Sequence, residues 1–275
     1  MIRDNPCCRI NKRRMRSVAD SNDTPGVLLV GHGTRDAEGK SELFELARRV
    51  SRRLVVPVEP CFLELCPPTI HEAAERLLRS GRRHVLVSPV LLFEAEHAKS
   101  DVPAAVDAAL DKWAIRHQTA HLGCHPKIVE LSAHRCSEAV AGDHSVDQRA
   151  TLVLLVGRGS HDQDATAEMY QFVQLRAVAA APTQFQVCFL GLANPRLEEV
   201  LAEVRNSSFG RVIVQPHLLF QGELVTKTRK LAETMPLTDV TRQWISTSHL
   251  GPHPLLVDAV CARIQGAWPH QDLIR

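Results

Sequence analysis

The sequence predicts an α/β chain made of two similar doubly wound parallel-sheet domains related by internal duplication. Three observations carry that expectation. Four blocks recur in order: VLLVGHGT (27–34) as LVLLVGRGS (152–160), CFLEL (61–65) as CFLGL (188–192), HVLVSPVLLFEAEH (84–97) as RVIVQPHLLFQGEL (211–224), and HLGCHPKIVELSAHR (121–135) as HLGPHPLLVDAVCAR (249–263). The offset between partners stays at 126–128 residues, as a duplication requires. Within each copy, solidly apolar runs alternate with amphipathic segments, the pattern of a parallel sheet covered on both faces.

Taken in order, each copy opens with a short apolar run, VLLV, that ends at a glycine-rich turn. A helical period follows, SELFELARRVSRRL in the first copy and ATAEMYQFVQLRAVAA in the second. The second strand is VEPCFLEL or QFQVCFLGL. A proline then opens a second helix, PTIHEAAERLLRSG or PRLEEVLAEVRNSS, at the end of the helix where proline is tolerated. The third strand is HVLVSPVLLF or RVIVQPHLLF, and a third helix and a short strand near HLG close the unit. The polar stretch AVAGDHSVDQRA (139–150) separates the copies. This gives a basic arm at 1–24, an N-terminal domain at 25–140 carrying the site, and a C-terminal repeat at 150–268.

Composition excludes several classes. The 275 residues are 44% hydrophobic and 23% charged, with a net charge of +2, which is ordinary for a globular chain. Only 4% are aromatic, too few for the stacking platforms of a single-strand nucleic-acid binder, and the small charge supplies little attraction to a polyanion. No apolar run approaches the roughly 20 residues of a membrane span. The N-terminal segment lacks the apolar core of a secretory signal, and Met15 is a second candidate start. The eight cysteines include no CxxC pair, and several sit in strand-like runs. They read as buried thiols in a reducing cytoplasm.

In such folds ligands lie beyond the carboxyl ends of the strands. Three polar residues of the first copy fall there: His32 in GHGTRD, Glu64 in FLEL and His97 in FEAEHAKSDVP. Two imidazoles and a carboxylate around one mouth suit a borderline divalent cation. Each also has a structural reading. His32 is then a turn residue, Glu64 a helix cap or an arginine's partner, and His97 a cap. The second copy is an internal control, because it has Arg158, Gly191 and Leu224 at the three places while keeping the strands and turns. Their joint loss points to one site on the first half, with the second half as the facing wall. His121, His125, His249 and His253 recur in both copies and read as structural at a strand exit and helix start. Neither GHGT nor GRGS completes a nucleotide-binding pattern, so no nucleotide is expected. No serine sits in a GxSxG elbow.

LLVGHGTRD, CFLELCPPTIHEA, VSPVLLFEAEHAKSDVP and the HLGCHP step together resemble the sirohydrochlorin chelatases, the class II chelatases that insert cobalt or iron into a reduced tetrapyrrole. The resemblance covers about residues 26–265, with the second half as the diverged repeat of long members. It implies two α/β domains around a cleft and insertion of Co²⁺ or Fe²⁺ into sirohydrochlorin without ATP, in siroheme or cobalamin synthesis. The family's metal-binding and catalytic residues map to His32, Glu64 and His97. Histidine can hold a metal it must surrender and take up protons near neutral pH. Arg35, Lys99 and Arg158 are the candidate partners for substrate carboxylates. The sequence departs from the family at FEAE, where a glycine-containing turn is expected, and the arm has no family counterpart. One chain supplies both walls, so a cytoplasmic monomer with its repeats facing each other is expected. The contrasting reading is a metal carrier of the same fold without catalysis.

Overall fold

The computed structural model describes residues 25–93, 96–110, 115–141, 146–147, 150–180 and 183–268, and for 96–99 and 115–116 the backbone alone. The basic arm, Cys7 and Cys8 lie outside the described residues. The first copy runs β1 (Gly26–Gly31), α1 (Ala37–Leu54), β2 (Val58–Phe62), α2 (Ile70–Arg79), β3 (His84–Pro89), α3 (Glu96–Leu110), β4 (Ile115–Gln118) and α4 (Pro126–Ala139). The second repeats it as β5 (Thr151–Gly157), α5 (Gln163–Ala179), β6 (Gln184–Phe189), α6 (Leu197–Val204), β7 (Arg211–Pro216), α7 (Glu223–Thr238), β8 (Gln243–Ser246) and α8 (Pro254–Ala267). Each copy forms a four-stranded sheet, in order β2-β1-β3-β4 and β6-β5-β7-β8. All pairings are parallel, and β1 and β5 sit at the switch point. This is the doubly wound arrangement the repeats predict.

The strands are shorter than the apolar runs that announce them. β3 and β7 stop at Pro89 and Pro216, which have no N–H to give the ladder. The residues beyond, Val90–Phe93 and His217–Phe220, become lining instead of strand. β2 stops at Phe62, and Leu65 then turns with φ 68°. Helix α1 begins earlier than its apolar period, at Ala37, because the Asp36 carboxylate accepts from the N–H groups of Glu38 and Gly39.

Alternation along β1 divides the core. Leu28 and Val30 face α2 and α3 with Ala73, Leu77, Val102 and Val106, whereas Val27 and Leu29 face inward. In the second sheet Leu152, Leu154 and Val156 face outward with Leu197, Val200 and Met235, whereas Val153 and Leu155 face inward. The two inner faces share one apolar cluster.

That shared layer contains an exchange. Helix α4 leaves the first sheet and packs on α5 and β7 of the second, while α8 returns to pack on α1 and β3. Gln215 of β7 donates through Nε2 to the Ser132 carbonyl of α4 at 2.8 Å and accepts from Cys136 Sγ at 3.0 Å. Arg53 of α1 pairs with Asp258 of α8. The recurrent histidines secure the same exchange. His125 and His253 accept through Nδ1 from Lys127 and Leu255 N–H groups and cap α4 and α8. His121 bonds Glu168 of α5 at 2.9 Å, and His249 bonds Glu42 of α1 at 2.8 Å, so each pair ties one copy to the other.

Candidate functional site

The turns after β1 and β2 are zipped together by main chain. Leu63 N–H donates to Gly31 O and Glu64 N–H to His32 O, and Gly191 N–H repeats the second bond to Arg158 O. The approach is close enough to require glycine. At Gly33, with φ 119°, a Cβ would lie 2.0 Å from the Glu64 carbonyl oxygen. At Gly159 it would lie 1.7 Å from the Gly191 carbonyl oxygen. Thr34 Oγ1 accepts from Asp36 N–H, and Ser160 Oγ accepts from Asp162 N–H. The glycine, hydroxyl and aspartate of both turns are therefore scaffold. Between these scaffold residues the turns hold out different side chains, His32 and Arg35 in one and Arg158 and His161 in the other.

His32 Nε2 stands 3.3 Å from Glu64 Oε1, with both side chains partly open to solvent. Arg158 Nη1 reaches the same Nε2 from the other half, at 3.1 Å. His32 and Arg158 occupy equivalent positions in the two copies. Equivalent residues of two copies related by a pseudo-two-fold meet only on that axis, so the pair marks where it passes. It opens into a cleft of about 1530 Å³ lined by both copies. Twin apolar walls, Leu91–Phe93 and Leu218–Phe220, flank the polar turns. Arg35 stands exposed on the rim, and Asp101 of α3 also lines the cleft.

Of the residues read from sequence, the structure brings His32, Glu64 and Arg158 together and puts Arg35 on the lining of the same cleft. His97 and Lys99 fall in the first turn of α3, which begins at Glu96, and their side chains lie outside the described residues. HAKSDVP is thus helix and not a turn before one.

Sequence reasoning missed His217. It lines the cleft and is 2% exposed, with Phe172 and Phe93 against its ring at 4.2 and 5.5 Å. Among the described residues neither ring nitrogen has a hydrogen-bond partner, and burial, then the Arg176 charge, push its pKa down to about 3. The signal was in the repeat, where the equivalent residue is Val90. Leu65 and Leu192 were also missed. They are exposed, left-handed at φ 68° and 61°, and both line the cleft. A second ligand-type group, His134, Glu138 and His253, lies on α4 and the α8 cap with its atoms within 4.8 Å. Glu138 is bonded to Arg135 and His253 Nδ1 caps α8, so that group is engaged in structure. Cys61 and Cys188 are buried twins whose thiols point at strand carbonyls, and burial pushes both pKa values to about 12. They are not nucleophiles at physiological pH.

Fold and cleft together define a duplicated α/β protein with an imidazole–carboxylate pair at its pseudo-symmetry axis. The chain belongs to the CbiX family, whose model matches it twice, at residues 26–139 and 152–267. A sirohydrochlorin ferrochelatase of Priestia megaterium is 32% identical over 82% of this chain and 84% of its own. A sirohydrochlorin cobaltochelatase of the same organism is 27% identical over 84% of this chain and 76% of its own. Among solved structures, SirB from Bacillus subtilis with Fe³⁺ superposes with a TM-score of 0.78 at 26% identity, over 88% of this chain and 94% of the other.

Proposed function

We propose that the chain is a sirohydrochlorin metallochelatase that inserts Co²⁺ or Fe²⁺ into the tetrapyrrole with release of two protons. The observation that carries this reading is the His32–Glu64 pair, 3.3 Å apart, on the axis of a cleft formed by both copies. An imidazole and a carboxylate hold a borderline dication. His97, at the start of the helix that follows β3, is assigned as the third ligand. Ligation here has to be reversible, and a partly solvated site provides that, because water replaces each ligand as the metal passes to the ring nitrogens. Imidazole and carboxylate are also the side chains that serve as proton acceptors near neutral pH, as loss of two pyrrole protons requires.

The cleft volume exceeds the roughly 300–1,000 Å³ usual for drug-sized ligands, which leaves room for a macrocycle. Its faces would lie on the apolar walls, and Arg35, Lys99 and Arg158 are assigned as the cations for its acidic side chains. The metal is a substrate, and both walls come from one chain, so we read the enzyme as a monomer. Among the described residues no helix is long and apolar enough to cross a membrane. The reaction is assigned to the cytoplasm, where free thiols persist.

The deciding measurement is sirohydrochlorin metallation with Co²⁺ and with Fe²⁺, for the wild type, His32→Ala and His97→Ala. Rates should fall in both variants, and unchanged rates in both would sink the assignment. Metal binding with no spectral change in added tetrapyrrole would identify a carrier instead.

A further inference from the structure

Among the described residues, two charged side chains approach His32 Nε2, which in its unprotonated form has one lone pair. Glu64 Oε1 is at 3.3 Å and Arg158 Nη1 at 3.1 Å. A guanidinium has only N–H groups and is always charged, so its contact with Nε2 uses the lone pair as acceptor. A metal bound through Nε2 needs that same lone pair. Arg158 and an incoming dication therefore compete for one atom, beside one carboxylate.

The repeat shows why the arginine reaches across. The place of Glu64 in the second copy is Gly191, so the turn that carries Arg158 holds no matching carboxylate of its own. Arg158 is exposed, so its side chain is open to solvent where it meets His32. Once released, its planar fork is suited to a carboxylate, the group that decorates the rim of an acidic tetrapyrrole.

We propose that Arg158 is a placeholder cation: it occupies the His32 lone pair beside Glu64 until the metal arrives, is displaced by it, and is thereby freed to bind a tetrapyrrole carboxylate. This rests on the reading of His32 and Glu64 as the metal site. Arg158 is a positioning residue in this scheme, and it couples the two substrates. Metal binding exposes a carboxylate anchor, and departure of the metal into the ring lets the arginine return to His32, which disfavours rebinding from the product.

Titration calorimetry of the full chain with Co²⁺, in the absence of tetrapyrrole, tests this. Arg158→Met and Arg158→Gln should each bind Co²⁺ about tenfold more tightly than wild type, within the range usual for coupled sites. Arg158→Lys, which keeps the charge, should stay nearer wild type. In steady-state assays the KM for tetrapyrrole should rise in Arg158→Met and Arg158→Gln. Unchanged or weaker Co²⁺ affinity in both, with only that KM raised, would make Arg158 a plain carboxylate anchor and overturn the proposal. His32→Ala separates the two levels. If it leaves Co²⁺ affinity unchanged, the metal site itself is misplaced and the proposal fails with it. If it abolishes binding while the Arg158 variants match wild type, the placeholder alone fails.

Discussion

His217 and Val90 fill equivalent places at the ends of β7 and β3, so the repeat isolates what an imidazole adds there. Valine satisfies the packing, being 2% exposed at Val90. The histidine leaves two buried nitrogens unpaired and has its pKa pushed from 6.5 down to about 3. The unfolded chain takes up a proton near pH 6.5, and the folded chain resists it until about pH 3. Stability is thus fully present above pH 6.5 and falls as pH drops through that window, with a slope of up to about 1.4 kcal/mol per pH unit. His217→Val should flatten that slope in denaturant titrations between pH 6 and about pH 4. An equally steep variant would show that other groups dominate acid unfolding. At the proposed metal site, Glu64→Gln keeps size and removes charge. It should cost at least about tenfold in Co²⁺ affinity by calorimetry, since even residues behind metal ligands cost that much. The His32–Glu64 pair was legible in the sequence because both residues disappear together in the second copy. The contact of Arg158 with His32 was not. It depends on two turns meeting at an axis, and residue spacing within one copy carries no information about that.

Elements position these residues through turns that tolerate little change. Gly33 and Gly159 make the same close approach to the β2 and β6 turns, so alanine at either should destabilise by about 2 kcal/mol or more from backbone strain and contact. Their effects on metal should differ. Gly33→Ala pushes away the turn that carries Glu64 and should weaken Co²⁺ binding. Gly159→Ala displaces the turn at Gly191 and Ala193, which carries no proposed ligand, and should not weaken it. Thermal unfolding and calorimetry on both variants check this, and equal loss of affinity would mean that the strain spreads across the cleft. The strands and most helices were legible because solid apolar runs and helical periods are local properties. Helix ends were less so. α1 starts at Ala37 through the Asp36 cap, and β3 and β7 stop at prolines inside apolar runs that read as longer strands. The left-handed Leu65 and Leu192 were invisible, since leucine ordinarily avoids that conformation at a cost of about 1–2 kcal/mol.

At the scale of the molecule the exchange of α4 and α8 decides how the chain folds. An apolar stripe on a helix says that it will be covered, but not by which sheet, so the repeat alone suggested two self-sufficient units. In the structure Leu256, Val257, Val260 and Ile264 of α8 cover the first sheet's inner face, and Ile128 and Leu131 of α4 belong to the same continuous cluster. Burying each such side chain contributes about 1.5–3 kcal/mol, so removing α8 from the first copy forfeits several times the margin that one substitution threatens. Residues 25–140 expressed alone should therefore fail to give a cooperative unfolding transition, and so should residues 150–268. The two fragments mixed or co-expressed should associate, because each carries the helix the other lacks and half of the His121–Glu168 and His249–Glu42 clasps. The intact chain should unfold in one step, with far-ultraviolet dichroism and tryptophan fluorescence coincident, because Trp244 lies in the second copy's outer layer and Trp268 follows α8 against the shared one. Two separated transitions, or a fragment that folds by itself, would show that the shared layer is a contact between finished domains. Coincidence would place cleft formation and folding in the same event, so that the His32–Glu64 pair and Arg158 are brought together only when the whole molecule is.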